Sequence, residues 1–158
     1  MIAIRRVKPE EADTLTQIAL AAKRYWDYPD AWIQKWTPLL TFTPKKIEEA
    51  DVFVAVMPST ALRPGDDKLA GFYRLFLRRP RATLEDLWVK PEFIGKGIGR
   101  ALFDHASMHC RSAGVEYLAV EADPHAQGFY EKMGMRKIGE HPSDVDDQRA
   151  LPILEMRL

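Results

Sequence analysis

Residues 87–100 read LWVKPEFIGKGIGR, and they connect a predicted strand to a predicted helix. Three glycines alternate with other residues in the second half of this stretch: Gly95, Gly97 and Gly99. Glycine lets the backbone approach a ligand without an intervening Cβ atom, and the first amides of a helix have no partner inside the helix. Because the helix dipole also favours negative charge there, the stretch predicts a site for a phosphate or pyrophosphate. Lys96 and Arg100 add positive charge beside it.

The spacing of the glycines argues against two common phosphate-binding loops. A P-loop requires Ser or Thr after its Gly-Lys pair, and Gly97 stands at that position. A dinucleotide-binding Rossmann loop requires G-x-G-x-x-G, usually after the first strand, whereas this G-x-G-x-G stretch follows the fourth predicted strand. A nucleotide-binding module and a glycine-rich turn without a ligand stay as less favoured alternatives.

The remaining chain predicts a mixed sheet with helices on its faces, within one domain that covers residues 1–158. Strands are predicted at residues 1–7, 51–57, 69–77, 83–89, 115–121, 135–140 and 151–157. Helices are predicted from residue 9 and at 30–40, 97–113 and 126–133, with polar loops at 58–67 and 142–149. The crossover helix at 97–113 implies that the strands before and after it run parallel. The predicted fold class is α/β, with a mixed α+β sheet.

Length and composition predict a core that needs no covalent support. The 158 residues are 46% hydrophobic, which suffices for one core without a disulfide or a metal. Equal numbers of basic and acidic side chains, 23 of each, argue against non-specific nucleic-acid binding. Cys110 is the single cysteine, and no apolar run is long enough for a signal peptide or a membrane span. A cytoplasmic protein without a nucleic-acid or membrane partner is therefore expected.

His105 and His109 lie four residues apart on a predicted helix, a spacing that can bind a metal. No Glu follows His105, as the zinc protease motif requires, and the sequence indicates no third ligand. We therefore expect no metal.

The glycine stretch from residue 94 resembles the acetyl-CoA signature of the GNAT acetyltransferases, Arg/Gln-x-x-Gly-x-Gly/Ala, with Ile94 in place of Arg or Gln. A second stretch, DPHAQGFYEKMGM at residues 123–135, resembles the family pattern Asn-x-x-Ala-x-x-x-Tyr-x-x-x-Gly-Phe. Asp123 replaces the usual Asn, and Met135 replaces the usual Phe. The resemblance extends over about residues 83–140.

The resemblance implies a GNAT-like acyl-CoA N-acyltransferase fold, with a central, mostly antiparallel sheet, a splayed parallel strand pair and helices on both faces. It also implies an N-acetyltransferase that uses acetyl-CoA as co-substrate. The acceptor is then a primary amine of a small molecule or peptide, which attacks the thioester directly through a tetrahedral intermediate. A non-catalytic acyl-CoA-binding sensor on the same fold is the alternative. Family members are often dimers, so a homodimer is one expected state.

The resemblance assigns the acyl-CoA contacts to a bulged strand, the glycine stretch and the second motif. The strand residues, whose main chain would face the thioester and the pantetheine arm, are Leu87, Trp88 and Val89. The residues expected around the diphosphate are Ile94, Gly95, Lys96, Gly97, Ile98, Gly99 and Arg100. The second motif contributes Asp123, Ala126, Phe129, Tyr130 and Lys132.

Three side chains are candidates for proton transfer. Tyr130 is the candidate general acid near the sulfur, because a phenol with a pKa of about 10 can protonate a thiolate whose conjugate acid has a pKa of about 8.5. The alternative is a tyrosine that only packs. Glu85 and Asp86 are the base candidates, since two acids in an apolar strand are costly if buried without partners.

Successive strand residues face opposite ways, so at most one of these two acids should face a cleft unless a bulge intervenes. Glu85 is the preferred base. The alternative is a solvent-facing acid that pairs with Arg74 or Arg78 across the hairpin.

An aromatic-rich stretch at residues 25–36 follows the first predicted helix. Within it, Trp26, Asp27 and Tyr28 are the candidate acceptor-binding residues, because rings and a carboxylate together suit a cationic amine. The alternative is that these rings pack the first two helices against the sheet.

Overall fold

Residues 2–58 and 68–158 are described by the computed structural model, so most of the predicted loop at 58–67 lies outside the described residues. Within them, seven strands form one sheet: β1 (Ala3–Arg6), β2 (Asp51–Met57), β3 (Lys68–Arg78), β4 (Arg81–Val89), β5 (Tyr117–Glu121), β6 (Arg136–Pro142) and β7 (Ala150–Arg157). Their spatial order is β1-β2-β3-β4-β5-β7-β6. Only the β4–β5 pair is parallel among these neighbours, which confirms the predicted mixed sheet.

The described residues also form five α-helices: α1 (Ala12–Arg24), α2 (Asp30–Trp36), α3 (Pro44–Glu48), α4 (Ile98–Ser112) and α5 (Gln127–Lys132). Short 3-10 turns occur at Pro9–Glu11, Pro91–Phe93 and Pro124–Ala126. The helix predicted at 30–40 ends at Trp36, and α3 was not predicted. A local signal for α3 exists, since Thr43 caps the Lys46 amide and Pro44 occupies the first turn. In the described part of the chain, no helix has the length and hydrophobicity that crossing a membrane requires.

Helices cover both faces of the sheet, as the resemblance implies. Alternate residues of β2 point to opposite faces. Val54 belongs to one buried cluster with Leu15 and Ile18 of α1, whereas Phe53 belongs to a second cluster with Leu102 of α4. The sheet therefore lies between a layer that contains α1 and a layer that contains α4.

The parallel pair is short and then splays. Its ladder ends at the pair Leu84 and Val120, although β4 continues to Val89. Beyond Leu84, no described residue of β5 pairs with β4. The two strands therefore separate toward the carboxyl end of β4, where α4 begins.

A bulge in β4 accompanies this separation. On the β3 side, Leu84 is opposite Leu75 and Asp86 is opposite Arg74, so Glu85 is an extra residue without a register partner. A bulge of this kind bends the strand and redirects its side chains. It explains why both acids of β4 line the same cleft, contrary to simple strand alternation.

Candidate active site

The space between the splayed strands is a cleft of about 480 Å³. It brings together most of the residues that the sequence indicated. The predicted residues that line it are Trp26, Glu85, Asp86, Leu87, Trp88, Val89, Ile94, Gly95, Gly97, Ile98, Gly99, Arg100, Asp123, Ala126, Phe129 and Tyr130. Four predicted residues are not part of the lining: Asp27, Tyr28, Lys96 and Lys132.

The glycine stretch presents free amides at the open end of the cleft. Gly95 and Gly97 both have φ of +80°, a conformation that residues with a Cβ rarely adopt. Gly97 precedes α4 and offers no side-chain cap, and the first helical bond runs from the Ala101 amide to the Gly97 carbonyl at 3.0 Å. The amides of residues 98–100 thus have no partner within the helix. These amides fit an anionic diphosphate.

The start of α4 also packs closely on α5. A Cβ atom at Gly99 would lie 3.2 Å from the Phe129 ring, so the third glycine permits this approach. The first motif and the second motif are therefore in direct contact at the open end of the cleft.

Tyr130 is buried in the cleft wall with 5% of its surface exposed, and it packs on the rings of Phe103 and Phe129. Its phenol has no hydrogen-bond partner among residues 2–58 and 68–158. Burial raises the pKa of Tyr130 well above its usual range, and the charges of Asp86 and Asp123 add to the effect. A tyrosine with an ordinary pKa is already protonated at neutral pH, so the raised pKa makes this phenol a weaker acid than the sequence argument assumed. The phenol can still donate a hydrogen bond to a group in the cleft.

Asp86 is buried and fully engaged by protein donors. Its Oδ2 accepts a hydrogen bond from Arg74 Nε at 2.7 Å, and its Oδ1 accepts one from Trp88 Nε1 at 3.0 Å. The cross-hairpin pairing expected as an alternative thus involves Asp86, in a buried rather than a solvent-facing position. The carboxylate holds the Trp88 ring, which lines the cleft two residues farther along β4.

Glu85, in contrast, is exposed at the cleft and makes no ion pair with any residue that the structure describes. Partial burial raises the pKa of Glu85, and neighbouring Asp86 and Glu121 raise it further, while Arg74 and Arg78 oppose them. Of the two β4 acids, Glu85 is the one whose carboxylate is free to accept a proton.

A buried charge cluster joins α1 to three loops beside the cleft, and the sequence did not predict it. Asp123 Oδ2 accepts hydrogen bonds from Lys23 Nζ at 2.7 Å and from Arg149 Nη2 at 3.3 Å. The Tyr28 hydroxyl donates to the same carboxylate at 2.8 Å, and the His125 amide donates to Oδ1 at 3.0 Å. Burial alone would raise the pKa of Asp123, but Lys23 and the other donors hold it below its usual range.

These contacts change the expectations for two predicted residues. Both carboxylate oxygens of Asp123 already have protein donors, and the Tyr28 hydroxyl also accepts a hydrogen bond from Arg149. Burial raises the pKa of Tyr28 to about 12, so its phenol stays neutral. A direct role of Asp123 with the cofactor or of Tyr28 with the acceptor stays a prediction, and both residues have a structural role.

Lys23 carries the only local signal for this cluster. It lies four residues after Ala19, on the apolar side of α1 that also includes Leu15 and Ile18. A lysine on a buried helix face requires a partner. Its ammonium lies 3.9 Å from the Trp36 ring centroid, and burial lowers the pKa of Lys23 against the attraction of Asp123.

Trp26 forms the lip of the cleft on the α1 side. Its ring stacks on His125 with a centroid distance of 4.5 Å and an interplanar angle of 3°. The neighbouring Asp27 has φ of 56°, in the left-handed region, and it turns the chain away from α1 toward Tyr28. Trp26 is the one predicted acceptor-binding residue that lines the cleft.

The two histidines of α4 have protein partners. His105 Nδ1 lies 2.8 Å from the Tyr73 hydroxyl, and His109 Nε2 lies 3.0 Å from Asp51. Among the described residues, no three His, Cys, Asp or Glu side chains gather as a metal site would require.

Comparisons with known proteins agree with this geometry. A candidate ribosomal protein bS18-alanine N-acetyltransferase of Bacillus subtilis (strain 168) is 31% identical over 77 residues, which are 47% of this chain and 51% of the relative. Mycothiol acetyltransferase of Propionibacterium freudenreichii subsp. shermanii is 46% identical over 59 residues, which are 35% of this chain and 19% of that protein. The chain thus matches about half or less of the length of these curated relatives.

A solved structure shows the same fold over the whole chain. The PaiA N-acetyltransferase of Thermoplasma acidophilum, in complex with coenzyme A, superposes with a TM-score of 0.77 at 22% identity. The match covers 100% of this chain and 99% of that protein. Residues 18–135, more than half of the sequence, match the model of the acetyltransferase (GNAT) family. The chain therefore belongs to the GNAT acetyltransferase family.

Proposed function

We propose that this protein transfers an acetyl group from acetyl-CoA to a primary amine of a small molecule or peptide. One observation carries the proposal: a single cleft joins helix-start amides that have no partner within α4, the splayed edge of β4 and the phenol of Tyr130, which has no hydrogen-bond partner in the described part of the chain. The relatives support the reaction class, since both are named as acetyltransferases. They do not share one acceptor, so the acceptor class stays broad.

The residues at the open end fit coenzyme A. The amides of residues 98–100, helped by the charges of Lys96 and Arg100, would hold the diphosphate. The main chain of β4 beyond Leu84 is not paired with β5, so it is available to the pantetheine arm as an added strand would be. Acetyl-CoA would supply an activated acyl thioester to this cleft. The PaiA structure that contains coenzyme A supports the same use of the fold.

Two side chains have the properties that proton transfer requires. Glu85 accepts a proton from the acceptor's ammonium, and the neutral amine that results attacks the thioester carbonyl. The raised pKa of Glu85 brings it closer to the pKa that suits a general base at neutral pH. Tyr130 keeps its proton and donates to the departing sulfur. Asp86 acts through Trp88, as a positioning residue that holds the ring beside the splayed strand. A main-chain amide near Trp88 or Val89 polarises the thioester carbonyl.

The acceptor end of the cleft suits an amine. The carboxylates of Glu85 and Glu121 both line the cleft, and the exposed ring of Trp26 adds an aromatic surface. Asp123 offsets one of the two buried positive charges of Lys23 and Arg149, and Asp144 also attracts Lys23, which limits their repulsion of a cationic acceptor. A cytoplasmic location and a homodimer stay predictions.

A thiol-release assay tests the proposal. Purified protein is mixed with acetyl-CoA and a panel of polyamines, aminoglycosides, amino acids and peptides, and free coenzyme A is measured. We expect turnover with at least one amine. Tyr130→Phe should lower kcat by about 10²–10⁴-fold while the Kd for coenzyme A stays within about twofold.

Tyr117→Phe is the matched control, because Tyr117 lies on β5 outside the cleft lining and should keep full activity. A non-catalytic sensor, the alternative function, would bind acetyl-CoA without releasing thiol with any amine. Unchanged turnover in Tyr130→Phe would remove the acid role while leaving the transfer reaction in place.

A further inference from the structure

The closed end of the cleft is built by the last pair of the β4–β5 ladder. Leu84 and Val120 are opposite each other in that pair, they are 1% and 3% exposed, and both line the cleft. Both side chains lie in the same buried cluster as Tyr130 and Leu118, on the α4 side of the sheet. Before this pair, β4 and β5 bond to each other, so the cleft has no continuation between the strands.

The distance along β4 places this closed end at the acyl group. A strand advances about 3.3 Å per residue, so Leu84 lies about 17 Å from Val89, where the strand meets the glycine stretch. A thioester arm that is anchored at residues 95–100 and follows the free edge of β4 points its far end at Leu84 and Val120. Tyr130 lines the same cleft and belongs to the same buried cluster as this pair.

We infer that Leu84 and Val120 form a floor that restricts the transferred acyl group to acetyl. This inference rests on the proposed function and deepens it. The floor is apolar and tightly packed, and the fully buried Leu118 is two residues before Val120 on the same strand face. Close-packed interiors resist an added methylene because side chains must leave their rotamers. In apolar pockets one methylene changes specificity by about 10- to 200-fold.

The experiment compares acyl-CoA chain lengths. The ratio of kcat/KM for acetyl-CoA and propionyl-CoA is measured for the natural protein, Val120→Ala and Val115→Ala. The natural protein should prefer acetyl by at least about tenfold, and Val120→Ala should shift the ratio toward propionyl by at least about tenfold. Val115→Ala is the matched control: Val115 is buried in the same cluster but does not line the cleft, so its ratio should not change.

The opposite substitution covers the case in which Val120→Ala does not fold. Val120→Ile adds a methylene to the floor, so it should lower kcat/KM for acetyl-CoA by at least about tenfold while the Kd for free coenzyme A stays unchanged. Equal use of propionyl-CoA by the natural protein, or an unchanged ratio in Val120→Ala, overturns the inference.

The proposed function fails differently, by the absence of thiol release from acetyl-CoA with every amine. In that case the ratio of Kd values for acetyl-CoA and propionyl-CoA takes the place of kcat/KM. It still tests the floor, with the same variants and the same expected direction.

Discussion

Asp123→Asn should destabilise the fold through the buried charge cluster. The substitution keeps the shape of the side chain and its carbonyl acceptor, but it leaves Lys23 and Arg149 without their counter-charge. Removal of one partner from a buried ion pair typically costs about 3–5 kcal/mol. Since an Asn carbonyl still accepts hydrogen bonds, and Asp144 partly attracts Lys23, we expect the lower end, about 3 kcal/mol. For a chain of this size that corresponds to a Tm lowered by about 6–12 °C.

The stability lost in Asp123→Asn should become smaller as pH rises. Burial already lowers the pKa of Lys23, and without the Asp123 charge that pKa falls further. An unfolded lysine keeps a pKa of about 10.4, so between the two pKa values the unfolded chain binds more protons than the folded chain. Stability of the variant therefore rises with pH in this window. The difference in the free energy of unfolding between the natural protein and Asp123→Asn should therefore become smaller from pH 7 to pH 9.

Urea unfolding at pH 7, 8 and 9 measures both effects. Glu140→Gln is the control, because Glu140 pairs with Lys137 at an exposed position and its loss should cost less than about 0.5 kcal/mol. The double variant Lys23→Met with Asp123→Asn should recover part of the loss, since one of the unpaired buried charges is gone. A loss in Asp123→Asn below about 1 kcal/mol at pH 7, unchanged at pH 9, would refute the reasoning.

Two further substitutions test the cofactor and base assignments. Gly97→Ala forces a Cβ into a backbone with φ of +80° and should cost about 1 kcal/mol of stability and weaken coenzyme A binding. Gly128→Ala is the control, because a Cβ atom there meets open space, and it should change neither stability nor coenzyme A binding. Thermal unfolding measures the stability, and calorimetric titration measures the binding. Glu85→Gln should lower kcat by about 10²–10⁴-fold and remove the acidic limb of the pH profile, because the base form of Glu85 is lost as pH falls through its raised pKa. Glu92→Gln is the control, because Glu92 is exposed outside the cleft, and this variant should keep the acidic limb of the pH profile. If Glu85→Gln also keeps the acidic limb, the general base is a different residue.

Local sequence patterns determined the elements that surround the cofactor site. The alternate glycines at 95–99 predicted the helix start, because a free amide and a left-handed backbone are properties of a few neighbouring residues. The helical segment between β4 and β5 predicted the parallel pair, since parallel strands need a long crossover and a helix usually supplies it. The glycine stretch and the second motif together indicated the GNAT family, and both motifs lie within residues 18–135, which match the family model.

Only the tertiary structure decided how the acids are used. Glu85 and Asp86 are neighbours in sequence, and the β4 bulge, with Arg74 on the adjacent strand, separates a free carboxylate from an engaged one. Asp123 meets Lys23 across 100 residues and Arg149 across 26. A charge is stabilised by whatever lies within a few ångströms in space, and sequence patterns report only near neighbours along the chain. For that reason the amides that bind an anion could be read from the sequence, whereas the partners of the buried charges could not.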